Sequence, residues 1–337
     1  MSTNVMIADS IAIQPETVEL GQRDQDGQLL DSDMPPEEST GQGSTVGFAD
    51  VARDYVQLTK PRIVVMILIT TIMTAMIGAG GLVSIGSLLW LLLGTALVAA
   101  SAGSANQVWE RVIDGRMPRT TNRPLPGGRV KTIPATLYTA ALGIAGVSLL
   151  AWQFGGPPAA AAAATWLMYV LVYTPMKVRT YWNTTVGAVA GALPVLIGYT
   201  ATGGTLTDWT GWLLVGVLVA WQYPHFMSIA WMYRKQYADA GFVMTTTVEP
   251  TGRSAGWQSI AGSLALIACG VALAWLPGGI VSPILASIGV CAATYPMMKA
   301  SHRFKAAPND QTARKLLRSS LLVLPAVLLI VTIRVFL

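Results

Sequence analysis

Nine runs of about 20 predominantly apolar residues, separated by short polar links, leave this chain few ways to fold. They cover roughly residues 62–80, 86–106, 134–153, 157–174, 184–202, 209–230, 256–275, 279–297 and 317–337. A hydrocarbon core about 30 Å thick is crossed by about 20 residues of helix. Lipid offers no partner to backbone N–H and C=O groups, so the helix, which satisfies its own, is the expected spanning form. The spacing therefore predicts an all-α membrane protein with nine transmembrane helices. Only 12% of the residues are charged, about half of what a soluble domain carries. Cys269 and Cys291 lie inside apolar runs without CxxC spacing or a neighbouring His, and read as apolar-packed thiols, not metal ligands. Gly187 and Gly191 form a GxxxG, which predicts that the fifth span packs closely on a neighbour.

Charge is distributed as a membrane requires. Eleven of the seventeen Asp and Glu precede residue 55, and residues 1–45 are rich in Asp, Glu, Gln, Ser, Thr, Gly and Pro. That stretch reads as a disordered acidic tail, with the transmembrane domain over 46–337. It lacks the apolar core of a signal peptide. Its acids argue against an Arg-rich mitochondrial presequence, so a bacterial inner (plasma) membrane is expected. The net charge of +5 does not make a nucleic-acid surface, because Lys and Arg are scattered between apolar runs. They cluster instead before the first span and after the second, fourth, sixth and eighth, while the intervening links contain none. By the positive-inside rule, nine spans threaded this way put the N-terminus in the cytoplasm and the C-terminus outside.

The few remaining acids concentrate the chemistry. In SANQVWERVIDGRMPRTTNRPLPGGRV, Asn106, Glu110 and Asp114 recur every four residues, which places them on one helical face about one turn apart. Two carboxylates and an amide oxygen on one stripe suit Mg²⁺, which leaves positions for substrate phosphates. Arg116, Arg119 and Arg123 follow, and planar guanidinium groups match phosphate oxygens in bidentate fashion. The plainer alternative is a solvated helix end followed by a topology signal. Acid stripe then basic cluster is the pattern a metal-bridged diphosphate requires. Pro124, Pro126, Gly127 and Gly128 are expected to end the helix and turn the loop back. Charges gather at cytoplasmic helix ends, so the expected site opens to that side, within reach of a lipid-like substrate.

The elements NQxxExxxD and RTTNRPLPGG, the stretch YTPMKVRTYWNTTVGAVAGALPVLIGYTA, WQYPHF, and LTKPRIV at the first span together resemble the protohaem IX farnesyltransferase branch of the UbiA-type intramembrane prenyltransferases. The resemblance covers roughly residues 55–300. It implies nine helices around a central cavity, a divalent metal taken as Mg²⁺, and farnesyl diphosphate and haem b as substrates, with haem b a substrate and not a cofactor. It also implies membrane lipid as surroundings and haem-handling or oxidase-assembly proteins as candidate partners. In one respect the chain departs from the family: Lys235 and Gln236 stand before Tyr237 where adjacent acids are expected. Either Asp239 supplies part of a second metal site, or Lys235 contacts the diphosphate directly.

Further candidates sit at cytoplasmic span ends. Lys177 is a diphosphate contact or a topology signal. Asn183, Tyr173, Gln222 and His225 are candidates to line the cavity or touch haem, the last against the plainer reading of a helix-end hydrogen-bonding group. Tyr173, Tyr181, Trp182, Trp221 and Tyr223 form either an interfacial belt or, in part, π faces for an allylic cation. Alternatives of different class are a prenyltransferase with a quinone-precursor or chlorophyll-like acceptor, a multispan transporter, and a non-catalytic assembly factor. A transporter usually places charge at mid-membrane, whereas these span interiors are almost free of ionisable residues.

Overall fold

The computed structural model describes residues 47–276 and 281–336. The acidic stretch 1–45, read above as a tail, lies outside them, as do the first residues expected of the eighth span. The described chain runs through α1 (Phe48–Leu58), α2 (Pro61–Ala79), α3 (Ile85–Asp114), α4 (Thr132–Phe154), α5 (Gly156–Leu167), a π-helical turn (Met168–Tyr173) and α6 (Thr174–Met176). It continues through α7 (Asn183–Ala192), α8 (Pro194–Ala201), α9 (Trp209–Met232), α10 (Arg234–Asp239) and α11 (Thr245–Val248), then α12 (Arg253–Ala274), α13 (Pro283–Ala306) and α14 (Asp310–Phe336). No strand occurs among the described residues.

Among these residues, eight helical stretches are long and apolar enough to cross a bilayer. The eighth expected span is a helix of 24 residues, but Thr294, Tyr295 and Lys299 dilute its apolar character and it is not one of those eight. Two other expected spans are interrupted. Pro175 has no N–H to give, and its ring crowds the preceding turn, so the fourth span ends in a widened π turn with the Thr174 N–H on Tyr169 O. Pro194 starts a new helix after Leu193 and divides the fifth span into α7 and α8. Sequence reasoning missed α1 altogether. Its Phe48, Val51 and Val56 are exposed, while Asp54 is buried and takes the Arg129 Nε at 2.9 Å.

Long helices pack on their neighbours in chain order, and α14 returns against both α9 and α2. The α7–α8 stretch is central: 72% of its most apolar part is buried, against 22% for α4. Large apolar side chains such as Leu137, Ile144, Trp152 and Leu322 point outward, the inverse of a soluble surface. Cys291 is likewise exposed, which corrects its expected packing; Cys269 is partly buried. Without a hydrophobic force between helices in lipid, close backbone approach supplies the packing. Any Cβ at Gly198 would sit 2.4 Å from Thr71 O of α2, and one at Gly78 would sit 2.3 Å from Tyr199 O of α8. The expected GxxxG works through side chains: a Cβ at Gly187 would meet the Tyr173 ring and one at Gly191 the Gln222 amide.

The α2–α8 contact gives a first test. Gly198→Ala drives a methyl into backbone and should cost about 1–3 kcal/mol, read as a lower thermal midpoint in detergent. Gly86→Ala, where a Cβ meets nothing within 4 Å, should leave the midpoint unchanged. Equal midpoints for both variants would refute the close approach.

Candidate active site

Helix α3 continues past its apolar length to Asp114, and so carries the whole Asn106–Glu110–Asp114 stripe in one regular element. All three side chains are buried, at 1%, 4% and 1% exposure. Carboxylates removed from water demand compensation, and a different chain segment supplies it at each turn. Lys177, just after α6, places Nζ 2.7 Å from Glu110 Oε1. Arg123, in the loop after α3, places Nη1 2.6 Å from Asp114 Oδ2. Lys60, between α1 and α2, donates to Asn106 Oδ1 at 2.5 Å, and the Asn106 amide donates to Thr174 Oγ1 at 3.2 Å. Three cations thus meet one amide and two carboxylates.

The electrostatics differ among these cations. Burial works to lower the Lys177 pKa, but the Glu110 carboxylate outweighs it, helped by Tyr173, and holds the ammonium above the ordinary lysine value. Lys177 Nζ also lies 4.7 Å from the Tyr173 ring centroid, a cation–π contact worth about 0.5–2 kcal/mol. Lys60 has no carboxylate at contact distance, and burial of its ammonium end lowers its pKa. Its backbone is unusual too. With φ 55° and ψ 59°, it is the one non-glycine residue at positive φ among those described, a conformation costing about 1–2 kcal/mol.

The loops around the stripe are stapled together. Arg123 O accepts from Gly127 N at 2.9 Å, and Pro124 O from Arg129 N at 2.9 Å, so RPLPGG folds the chain back as expected. Helix α3 itself has already ended at Asp114, where Thr120 Oγ1 donates to the last carbonyl at 2.7 Å. Asn183 spends its amide N–H groups on the Thr180 and Val243 carbonyls, each at 2.6 Å, and the Val243 N–H donates to Lys177 O at 2.7 Å. Arg119 reaches from the first loop to α10, with its guanidinium 4.4 Å from the Tyr233 ring and one N–H on the Tyr237 hydroxyl at 3.3 Å.

Other candidates fall elsewhere. Arg116, Lys235 and Asp239 are exposed. Gln222 donates to Ala188 O at 2.8 Å and joins α9 to α7. His225 faces α14, with Nδ1 3.0 Å from Ser320 Oγ and its ring stacked on Trp221 at 4.8 Å. Tyr181 and Trp182 stack on each other and are exposed, as a belt would be, whereas Tyr173 belongs to the charged cluster. A cavity of about 920 Å³ lies between α3, α4 and α5, lined by Ser101, Ala105, Trp109, Gly143, Trp166 and Val170. Those α3 residues belong to a different helical face from the stripe.

Among the described residues no group of three or more His, Cys, Asp or Glu could hold a metal ion, so Asp239 does not join Glu110 and Asp114. The stripe still fits Mg²⁺, which needs only one or two carboxylates when phosphate and water supply the remaining oxygens. Glu110 Oε2 and Asp114 Oδ1 accept no hydrogen bond from the described residues. Lys60, Thr174, Tyr233 and Tyr237 were missed as site residues. For Lys60 the only signal was a lysine before proline at the mouth of the first span.

Eight helices long and apolar enough to cross a membrane, and a buried cluster of cations and carboxylates at the end of α3, define an integral membrane protein with a charged site at a helix end. Residues 67–322 match the UbiA prenyltransferase family, and the chain belongs to that family. It is 61% identical to the protoheme IX farnesyltransferase of Rhodopirellula baltica, over 83% of this chain and 99% of that protein. Identity to the protoheme IX farnesyltransferase of Salinibacter ruber is 37%, over 84% and 99%. Among solved structures, a digeranylgeranylglyceryl phosphate synthase superposes with a TM-score of 0.71 at 17% identity, covering 85% of this chain and 99% of that one. A UbiA homolog from Archaeoglobus fulgidus bound to GPP and Mg²⁺ gives 0.60 at 16%, covering 82% and 99%.

The Lys177–Glu110 pair yields a stability test. Removing one partner of a buried pair strands the other, so Lys177→Met should destabilise by about 3 kcal/mol, while Lys177→Met with Glu110→Gln should recover most of that. Chemical unfolding of the four variants in detergent measures the coupling. Simple additivity would contradict the pairing.

Proposed function

We propose that the chain transfers the farnesyl group of farnesyl diphosphate to a vinyl group of haem b, giving haem O and diphosphate. The observation that carries this reading is the α3 stripe, buried and ringed by Lys60, Lys177 and Arg123, in a chain 61% identical to a protoheme IX farnesyltransferase along nearly that protein's whole length. A transporter would need charge at mid-membrane; here the cluster sits at helix ends.

The reaction asks for a stabilised leaving group and exclusion of water. The bond between farnesyl C1 and the diphosphate oxygen breaks, and its electron pair leaves with the diphosphate. The terminal vinyl carbon of haem bonds to C1, and the ring-side carbon, left electron-deficient, takes water and releases a proton. That produces the hydroxyethylfarnesyl group. Arg123 and Lys177, already fixed beside the stripe, neutralise phosphate oxygens, with Arg116, Arg119 and Lys235 as outer contacts. Tyr173, half-buried under Lys177, presents a π face near the reacting carbon. His225 and Gln222 tie α9 to α14 and α7, and Asn183 ties the two loops together, so in this reading they shape the walls that a haem would meet. Mg²⁺, held by Glu110 and Asp114 with Asn106, would supply positive charge to the leaving diphosphate.

In this reading residues 46–337 form the catalytic domain of an inner-membrane protein with a cytoplasmic N-terminus and an external C-terminus. Helix α13 is its ninth span: at 24 residues it is about 36 Å long, enough to cross. The helices surround a central cavity open to the cytoplasmic side, and haem-handling or oxidase-assembly proteins are its candidate partners.

Two measurements test the proposal. Mass spectrometry of haems from membranes carrying the protein should reveal a haem heavier by one hydrated farnesyl unit, and unmodified haem alone would refute the reaction. Glu110→Ala or Asp114→Ala should lower farnesyl transfer by roughly 10²-fold or more, as should chelation of divalent metal, with recovery on adding Mg²⁺. Unchanged rates in those variants would remove the stripe from the mechanism.

A further inference from the structure

Helix α1 presents three edges. The first packs on the rest of the chain: Leu58 is buried with Leu125, Val130 and Ala135, the Tyr55 ring meets the Tyr138 ring edge-on at 5.0 Å between centroids, and Arg129 Nε donates to Asp54 Oδ1 at 2.9 Å. Asp50, Arg53 and Gln57 form a second edge, polar and exposed, with Arg53 paired to Asp50 at 3.2 Å. Phe48, Ala52 and Val56 recur every four residues and so share a third edge. All three are exposed, Phe48 at 89%. A free helix would turn such an edge inward, but this one is held. Gln107 Nε2 donates to the carbonyls of Leu58 at 2.9 Å and Gln57 at 3.2 Å, and the turn into α2 settles against α3 at Gly103, where a Cβ would lie 3.0 Å from Thr59 O.

We propose that α1 is a membrane-surface helix, whose edge of Phe48, Ala52 and Val56 inserts among the lipids of the leaflet at the C-terminal end of α3. Only Thr59 and Lys60 separate α1 from Pro61, where the first span begins, so the helix lies at the level where the bilayer starts. At the same end of the bundle, Ile63, Val65 and Met66 of α2 and Ile133 and Leu137 of α4 are also exposed, and the apolar edge extends that lipid-facing surface. An apolar edge set against a polar one is the pattern of helices that lie in the interface, sunk by about 5–10 Å. The attachment is apolar, not electrostatic. Arg53 is the one cation of α1, beside Asp50 and Asp54, so the helix offers no excess positive charge to anionic headgroups. The seat also has a use: Arg129, which holds Asp54, donates to Asn122 O at 3.0 Å, so the lipid-anchored helix braces the loop that carries Arg123.

Spin labelling of the full chain in lipid discs tests the seat. In a Cys269→Ala, Cys291→Ala background, single labels are attached through Phe48→Cys, Ala52→Cys and Val56→Cys on the apolar edge, and through Asp50→Cys, Arg53→Cys and Gln57→Cys on the polar one. Collisions with oxygen, which concentrates in lipid, are compared with collisions with a water-soluble nickel chelate. Oxygen should dominate several-fold at each label on the apolar edge and nickel several-fold on the polar edge, in discs with or without anionic lipid. Nickel dominating on both edges overturns the proposal, whether α1 stands in water or fails to form. Protection of the apolar edge from both reagents overturns it as well, because protein would then cover that edge. A difference between the edges that appears only with anionic lipid also contradicts it, since the attachment would then be electrostatic.

Discussion

Charge that has left water must find charge, and the C-terminal end of α3 is built around that requirement. Glu110 and Asp114 are almost wholly removed from solvent, so each needs a cation at contact distance. The chain answers with Lys177 from the end of the fourth span and Arg123 from the first loop, while Lys60 from the mouth of the first span attends Asn106. Three segments far apart in sequence are drawn to one stripe. Because a buried pair gains little net energy over apolar packing, the arrangement is poorly explained as a device for stability. In the proposed function it serves as a receptor for the diphosphate.

The surrounding fold holds that receptor in register. The π turn before Pro175 carries Tyr173, Thr174 and Lys177 as a unit toward α3, and Asn183 and Val243 lock the following loop to the loop between α10 and α11. Arg119 spans the two loops from the other side through Tyr233 and Tyr237. Deeper down, glycine contacts between α2 and α8 keep the helices at backbone distance, which suits a lipid environment where packing replaces the hydrophobic force. At the end of the chain, Arg334 donates Nε to Ala274 O at 2.5 Å and so satisfies a carbonyl at the end of α12.

Much of this could be read from the chain because its signals are periodic. Long apolar runs announce spanning helices, and a four-residue repeat of Asn, Glu and Asp announces one face of a helix. Breaks were harder to see. Pro175 and Pro194 signalled irregularity, but only tertiary packing decided that one widened a turn and the other divided a helix. Helix α13 shows the opposite limit: its polar residues lower its apolar character, yet it remains a regular 24-residue helix. Lys60 was hidden for a deeper reason. Its backbone conformation depends on Gln107 and Gly103, residues more than forty positions away, and no local pattern encodes such a clamp. Asn183 and Gln222 were found as polar residues at span ends, but their partners are backbone carbonyls, which sequence does not reveal.

The central claim is that the end of α3 receives the diphosphate. An experimental structure of the protein with Mg²⁺ and farnesyl thiodiphosphate tests it most directly. The account expects phosphate density between the Asn106–Glu110–Asp114 stripe and the cations Lys60, Lys177 and Arg123, with the metal on the carboxylates. Density lodged elsewhere, with the Lys177–Glu110 and Arg123–Asp114 pairs undisturbed and no metal beside them, would contradict it.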